Sequence, residues 1–358
     1  MKVIFMAFTP YHIRLSNLIA NEYYKNQDKK IIISSFSGLS FEKLNKFINY
    51  EIFKNVKYFN LNYNIKLLFQ EYSYILKKYK EELKGFIDEF DLIDGDIIVY
   101  FSDQPIPYQI IMNKYKNKCK LIMVEEGIGT YNKVKKISLK NKIHFEIRKF
   151  IFSYKQAKLY PLGKGGYENE IIALEPQLIN KEEISINRIK INKDLYLKYI
   201  ASDKKNHIDI KEKSTLLSPL CMSFVYKENI IYKIMEDIFV VYEDVFRKHL
   251  YIKLHPADKS DRCIKKILCT RKWEFIHLIE DDSLTSEDLV LNLNIDEVIS
   301  DFSSTLINSY YLKSTINLTS YYNLIKDKYN CDLNVDNELF NYMISKKIIK
   351  FIDMSNLA

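Results

Sequence analysis

KLIMVEEGIGTY, residues 120–131, opens with an apolar run that stops at two adjacent carboxylates, Glu125 and Glu126. A run that is apolar at every position is typical of a strand buried on both faces, as in a parallel sheet covered by helices. Gly127 follows the two carboxylates directly. Adjacent glutamates usually mark a solvated turn, but such turns seldom follow LIMV directly. We therefore interpret the pair as functional.

Similar apolar runs lie on either side of this stretch and alternate with helical periodicity. In the first half they are KVIFMAF, KKIIISSFS and GDIIVYFSD, while residues 41–92 are predicted to be largely helical. Strands of this kind that alternate with helices predict an α/β fold with a parallel sheet.

The alternation of apolar strands and helices is interrupted after residue 157 and resumes in the second half of the chain. We interpret KLYPLGKGGYENE, residues 158–170, as the last strand of a first domain running into a linker, and residues 180–207 as a polar helical bridge. Strands recur at STLLSPL, HLYIKLHP, KWEFIHLIE, IDEVIS and STINLT, and the remainder is predicted to be helical. We expect two Rossmann-like domains, residues 1–185 and 186–358, facing across a cleft.

Polar residues follow four of the predicted strands, and ligands of such sheets bind outside the carboxyl ends of the strands. The four groups are Thr9, Pro10 and His12; Glu125, Glu126 and Gly127; His255 and Pro256; and Ser303, Ser304 and Thr305. Taken singly, each group also has a structural explanation. The hydroxyl run, for instance, fits a helix N-cap, and a helix N-terminus is equally a phosphate site.

The composition excludes some classes of protein but does not identify one. The net charge of +8 suits an anionic partner, but the lysines are spread along the chain and no nucleic-acid-binding pattern appears. The five cysteines have no zinc spacing, and no segment is apolar enough to span a bilayer. We expect a protein without nucleic acid or metal, located in the cytoplasm.

In their order and distribution, the EEG, HP and SST motifs resemble those of the bacterial sialyltransferases. The likeness is greatest to the lipooligosaccharide sialyltransferases, and next to the polysialyltransferases of capsule synthesis. The resemblance implies a GT-B fold and an inverting, metal-independent transfer of sialic acid from CMP-sialic acid, with no cofactor, to a galactose-ended or sialylated surface glycan. Another GT-B glycosyltransferase, a nucleotide-sugar epimerase and a basic nucleic-acid-binding protein are the alternatives.

The resemblance also implies roles for individual residues. Glu126 or Glu125 takes the place of the general base, and we favour Glu126 because it lies beside the glycine. His255 meets the donor phosphate, and two of the three residues Ser303, Ser304 and Thr305 bind that phosphate. We add further residues as expectations: Pro256, Pro219 and Lys253 on the donor side, and Thr9, Pro10, His12, Gly127, Asp103 and Gln104 on the sugar side. A neighbouring carboxylate is expected to raise the pKa of one glutamate of the pair. Peripheral contact with the inner membrane and a homodimer are further expectations.

Overall fold

The computed structural model describes most of the chain. It covers residues 1–61, 72–133, 139–151, 154–160, 162–179, 186–200, 212–219, 222, 226–255, 258, 260–281, 284–331 and 336–352. The chain divides into two compact units, Met1–Leu195 and Tyr196–Ala358. The predicted domain boundary at residue 185 lies just before this division.

The first unit is built on a sheet of seven strands, all parallel, in the order β3-β2-β1-β4-β5-β6-β7. The strands are β1 Lys2–Ala7, β2 Asp28–Ser34, β3 Asn55–Phe59, β4 Ile97–Tyr100, β5 Lys120–Val124, β6 Glu170–Ala173 and β7 Asn187–Lys190. The helices that accompany them are α1 Pro10–Glu22, α2 Phe41–Asn45, α3 Tyr72–Asp88, α4 Ile106–Tyr115, α5 Leu139–Ile151 and α6 Lys193–Ile200, of which α6 crosses into the second unit.

The second unit holds a parallel sheet of six strands in the order β10-β9-β8-β11-β12-β13. The strands are β8 Ser214–Leu217, β9 Leu250–Ile252, β10 Ile276–Leu278, β11 Ile295–Ser300, β12 Asn317–Ser320 and β13 Ile349–Phe351. The helices are α7 Glu228–Val240, extended by a π-helical segment Val241–Phe246, α8 Asp261–Leu268, α9 Ser286–Asn292, α10 Ser304–Leu312, α11 Tyr322–Tyr329 and α12 Glu338–Ser345.

The central strands form because their residues are apolar and largely β-branched, which suits burial on both faces of a sheet. In β4 all four residues are buried, and in β5 the four residues after Lys120 are buried. The sequence-based expectation of two parallel α/β units is confirmed.

Three of the four outermost strands, β3, β7 and β13, differ from the sequence-based expectation, which assigned helix to all three regions. Their residues are largely exposed or half-buried, as in the pattern of β7, where no residue is fully buried. An edge strand has a neighbour on one side only, and polar residues are common there. The apolar run that identified the central strands is therefore missing from these three.

The segment 158–170, which we expected to form a strand, is instead a loop over its described residues 158–160 and 162–169, and Glu170 begins β6. It wraps around Asp103, whose carboxylate accepts hydrogen bonds from the backbone N–H groups of Gly163 at 2.9 Å and Gly165 at 2.7 Å. Gly163 has φ of +68°, and a Cβ there would lie 2.8 Å from the Met123 side chain. These glycines belong to a tight loop, so the glycine-rich composition marks that loop and not an interdomain linker.

Both sheets contain a point where the strand order reverses. It lies between β1 and β4 in the first sheet, and between β8 and β11 in the second. The loops that leave adjacent strands at such a point go to opposite faces of the sheet, which opens a crevice for ligands at the carboxyl edge. Most of the predicted site residues follow these strands or their direct neighbours β5 and β9.

No helix among the described residues has both the length and the apolar character needed to span a bilayer.

Candidate active site

Glu125, at the end of β5, is a buried hub of hydrogen bonds. Its carboxylate accepts from the hydroxyls of Tyr11 at 2.7 Å and Tyr131 at 2.5 Å, and from the backbone N–H of Leu174 at 2.8 Å. Burial raises the pKa of Glu125, and these three donors oppose the rise. Both carboxylate oxygens of Glu125 therefore accept hydrogen bonds. These bonds connect α1, the turn after β5 and the end of β6 to one another.

Glu126, the next residue, has a different environment. Its side chain is partly exposed, and its backbone N–H donates to Thr130 Oγ1 at 2.8 Å. Burial of the carboxyl and the negative charge of Asp103 raise its pKa to about 8, and a hydrogen bond with Ser102 opposes the rise. We expected the charge of Glu125 to raise the pKa of Glu126. The charge that raises it belongs instead to Asp103, which follows β4.

Gly127 enables the turn that follows the two glutamates. Its φ of +108° and ψ of −151° are open to glycine and strained for residues with a Cβ. The chain then forms a short 3₁₀ helix, Ile128–Tyr131, which brings the Tyr131 hydroxyl back to Glu125. Glycine is thus required by the backbone at this position.

Asp103 and Gln104 leave the end of β4 in different directions. Asp103 is fully buried and its carboxylate is held by the glycine loop described above, so it acts on Glu126 through its charge. Gln104 is exposed, and its Nε2 donates to the backbone carbonyl of Tyr160 at 3.4 Å.

The residues after β1 start helix α1. Thr9 is the N-cap, with its hydroxyl accepting from the backbone N–H of His12 at 3.1 Å, and Pro10 occupies the first turn. The ring of His12 is fully buried, stacked on Phe101 with centroids 4.4 Å apart and in edge contact with Phe8. Burial lowers the pKa of His12 to about 3, so the ring is neutral. The structure places His12 within an aromatic layer and not at the surface of the edge, where we expected a sugar contact.

In the second unit, hydroxyl groups gather where the strand order reverses. Ser218 follows β8, and its Oγ lies 2.7 Å from Ser286 Oγ and 3.3 Å from Thr305 Oγ1. Ser303 is the N-cap of α10, and its hydroxyl accepts from the backbone N–H of Thr305 at 3.2 Å. We call Ser218, Ser286, Ser303 and Thr305 the hydroxyl cluster.

Three of the other donor-side predictions lie in the part of the chain that the structure describes. Pro219 is buried directly after Ser218, and Ser304, the first residue of α10, is half-buried. Lys253 is buried, and its ammonium donates to the backbone carbonyl of Asp281 at 2.8 Å. Pro256 lies outside the described residues.

His255 follows β9 and keeps an exposed surface. Desolvation of its ring lowers its pKa, while the negative charges of Asp258 and Glu287 oppose this change. Glu287 is the neighbour of Ser286 in α9, so His255 belongs to the same edge as the hydroxyl cluster. At neutral pH the ring is therefore a neutral hydrogen-bond donor and not a fixed cation.

Sequence reasoning did not select Ser102, Ser218 and Ser286, which the structure brings to these edges. Ser102 and Ser218 directly follow Phe101 and Leu217, so the rule of polar residues after apolar runs selects both. Ser286 lies at the start of a helix after a polar loop, and no local signal marks it.

Within the described part of the chain, no three His, Cys, Asp or Glu side chains are grouped so as to hold a metal ion.

Comparison with known proteins identifies both a family and a fold. A family model described as alpha-2,8-polysialyltransferase (POLYST) matches residues 3–322. A search of curated proteins found no match.

Solved structures resemble the chain over most of its length. The UDP-GlcNAc 2-epimerase of Methanocaldococcus jannaschii, in complex with UDP-GlcNAc and UDP, is 15% identical, with a TM-score of 0.60, 98% of this chain covered and 89% of that one. The glycosyltransferase VinC, in complex with dTDP, is 6% identical, with a TM-score of 0.53 and coverage of 100% and 88%. The calicheamicin glycosyltransferase CalG4 is 7% identical, with a TM-score of 0.51 and coverage of 98% and 85%. At these identities the likeness concerns the fold, which is the expected GT-B class.

Proposed function

The chain belongs to the alpha-2,8-polysialyltransferase family, and on that premise we propose that it transfers sialic acid from CMP-sialic acid to a sialic acid-ended surface glycan. The observation that carries the proposal is the family match over residues 3–322. It favours the polysialyltransferases, which we ranked second by resemblance, over the lipooligosaccharide sialyltransferases. A sialylated acceptor, and not a galactose-ended one, follows from the alpha-2,8 linkage in the family description.

The proposed reaction is a single displacement with inversion. The acceptor hydroxyl attacks the anomeric carbon of the donor, the bond from that carbon to the phosphate oxygen breaks, and the hydroxyl proton passes to a carboxylate. The transition state resembles an oxocarbenium ion, as in glycoside hydrolysis. The protein must therefore supply a base for the acceptor and donors for the departing CMP.

We assign the base to Glu126. Glu125 already accepts three hydrogen bonds, including one from a backbone N–H. Protonation of Glu125 would disrupt these bonds, which connect α1, the turn after β5 and the end of β6. Glu126 is half-buried as a residue with its carboxyl shielded from solvent, and its raised pKa makes it a stronger base once it is ionised. A base is most effective when its pKa lies near the working pH, which a value of about 8 satisfies.

We assign the departing phosphate to the edge of the second sheet. His255 offers a ring N–H, the hydroxyl cluster offers several O–H groups, and the N-terminus of α10 offers backbone N–H groups. Such preplaced donors stabilise charge as it develops on a leaving group. A monophosphate carries less charge than a diphosphate, which is why the proposal contains no metal and no cofactor.

The proposal is tested by incubating the purified chain with CMP-sialic acid and a short sialic acid-ended oligosaccharide. We expect release of CMP, together with products heavier than the acceptor by one or more sialic acid residues. Lactose in a parallel reaction tests the galactose-ended acceptor, and a reaction without acceptor measures hydrolysis of the donor. An absence of sialylated product with both acceptors would refute the assignment.

A nucleotide-sugar epimerase is the second candidate, because UDP-GlcNAc 2-epimerases are among the structures that resemble the chain, with TM-scores up to 0.60. Incubation with UDP-GlcNAc, followed by NMR of the sugar, separates the two candidates. Inversion at C2 of UDP-GlcNAc, together with no transfer from CMP-sialic acid, would favour the epimerase.

A further inference from the structure

Helix α5 carries its apolar residues on the side that faces solvent. Leu139, Ile143, Ile147 and Phe150 are exposed by 73%, 53%, 44% and 78%. Their spacing of four, four and three residues aligns them along one face of the helix. We call these four residues the apolar stripe. An exposed, contiguous apolar surface of this kind marks a site of interaction.

A small apolar cluster of the first unit packs against the opposite side of α5. Phe145 is buried together with Ile106, in the first turn of α4, and Ala157. At about 100° per residue, Phe145 lies roughly opposite the middle of the stripe. The helix is thus held by one face, and the stripe points away from the fold that holds it.

The residues around the stripe are mainly basic. The helix sequence contains four Lys or Arg residues and one glutamate, Glu146. Lys142 and Arg148 are exposed. Lys149 forms an ion pair with Glu146 at 3.2 Å, which compensates that negative charge.

We infer that α5 lies in the surface of a bilayer containing anionic lipid and holds the first unit there. A helix with an apolar face, basic flanks and a length of 13 residues has the features of an interfacial helix, and it is too short to span a bilayer. Its apolar side chains enter the boundary between headgroups and acyl chains. Its long basic side chains reach back to the anionic headgroups.

A second copy of the chain is a less suitable occupant. In a two-fold dimer through this helix, the same surface meets itself, so the basic flank of one helix faces the basic flank of the other. An anionic headgroup layer complements the flank instead.

The inference assigns the expected peripheral membrane contact to one helix. It does not depend on any step of the transfer chemistry. Helix α5 follows β5 and Glu126 within the same unit. Binding of α5 to a bilayer would therefore hold the unit that carries the proposed base at the surface from which a membrane-bound acceptor extends.

The test is co-flotation of the full chain with vesicles of equal parts phosphatidylglycerol and phosphatidylcholine, compared with vesicles of phosphatidylcholine alone. We expect binding to the anionic vesicles that weakens with salt. The double variant Ile143→Ser with Phe150→Ser should bind about tenfold more weakly or worse, since two of the four apolar anchors are lost. Lys142→Glu with Arg148→Glu should lose most of the preference for anionic lipid.

Matched controls change equally exposed residues of the same unit outside α5. Ile93 and Tyr74 are exposed by 71% and 66%, and Ile93→Ser with Tyr74→Ser should leave vesicle binding unchanged. Lys77 and Lys84 are exposed on α3, and reversing their charges controls for net charge. Circular dichroism verifies folding, and transfer to a soluble oligosaccharide should be unchanged in the stripe variants.

Three outcomes would overturn the inference. The first is a wild-type chain that does not bind anionic vesicles. The second is equal binding by stripe and control variants. The third is a stripe variant that changes the oligomeric state in light scattering while vesicle binding stays the same, which would assign the stripe to a second copy. Each result is independent of whether CMP-sialic acid is the donor.

Discussion

The carboxyl edges of the two sheets lie on equivalent strand orders and carry different side chains. The first edge presents acidic groups, with Glu125, Glu126 and Asp103 at or just beyond the ends of β4 and β5. The second presents the hydroxyl cluster, His255 and the N-terminus of α10. One edge is suited to accept a proton and the other to donate hydrogen bonds to an anion. The chemistry of each edge therefore depends on the side chains that its strands deliver, and not on the fold.

The largest expected effect comes from removing the base at the first edge. Glu126→Gln keeps the shape and removes the proton acceptor, so we expect a loss of about 10²–10⁴-fold in kcat. The measurement is CMP release in the presence of a sialylated acceptor. Activity near that of the wild type would remove Glu126 from the proposed role.

The matched control is the other glutamate of the pair. Glu125→Gln replaces a carboxylate that accepts bonds from two tyrosine hydroxyls and a backbone N–H, so we expect it to act on stability. A buried network that loses a partner costs about 1–3 kcal/mol of the free energy of unfolding. A variant at Glu125 that keeps full stability and loses all activity would instead make Glu125 the base.

The next effect concerns the second edge. His255→Ala removes a donor at the proposed phosphate, and one preplaced donor is worth about 10²–10³-fold in kcat. His255→Asn retains an N–H group and should recover part of this loss. If alanine and asparagine were equally active, a hydrogen bond to the leaving group would not be the function of His255.

A smaller effect is expected within the hydroxyl cluster. Thr305→Val removes one O–H group at nearly constant volume, and a neutral hydrogen bond contributes about 0.5–1.5 kcal/mol. We therefore expect a change of about threefold to tenfold in kcat/KM for CMP-sialic acid. Thr319→Val is the control, because its hydroxyl, which bonds Glu297 at 3.0 Å, lies within β12 of the same sheet and not at the edge.

The last expected effect is on stability and not on activity, and it depends on pH. The pKa of Glu126 is raised from an ordinary value of 4.5 to about 8, so between these values the folded chain binds this proton more tightly than the unfolded chain. The free energy of unfolding should therefore fall as pH rises through this window. Glu126→Gln lacks this titration, so its free energy of unfolding should not show this fall between the two pH values. Denaturant unfolding at several pH values measures the difference, and parallel curves would contradict the raised pKa.

The fold class, and a hypothesis for the position of the site, could be obtained from the sequence itself. A strand buried on both faces must be apolar along its length, and it can carry polar groups only where it ends. The run before Glu125 thus identified both a strand of a parallel sheet and the polar residues that follow it. The strand before Ser303 is less regular, because Asp296 and Glu297 lie within it and are half-buried. The edge strands β3, β7 and β13 could not be found in this way, since exposure relaxes the requirement for apolar residues.

Only the tertiary structure distinguished the two glutamates from each other. Glu125 and Glu126 are identical in sequence terms, and their difference arises from distant partners: Tyr11 and Leu174 for the first, Ser102 and Asp103 for the second. The same holds for His12, which follows β1 as a polar residue should but lies within an aromatic layer. Burial, hydrogen bonds and pKa depend on atoms far apart along the chain, and folding alone brings those atoms together.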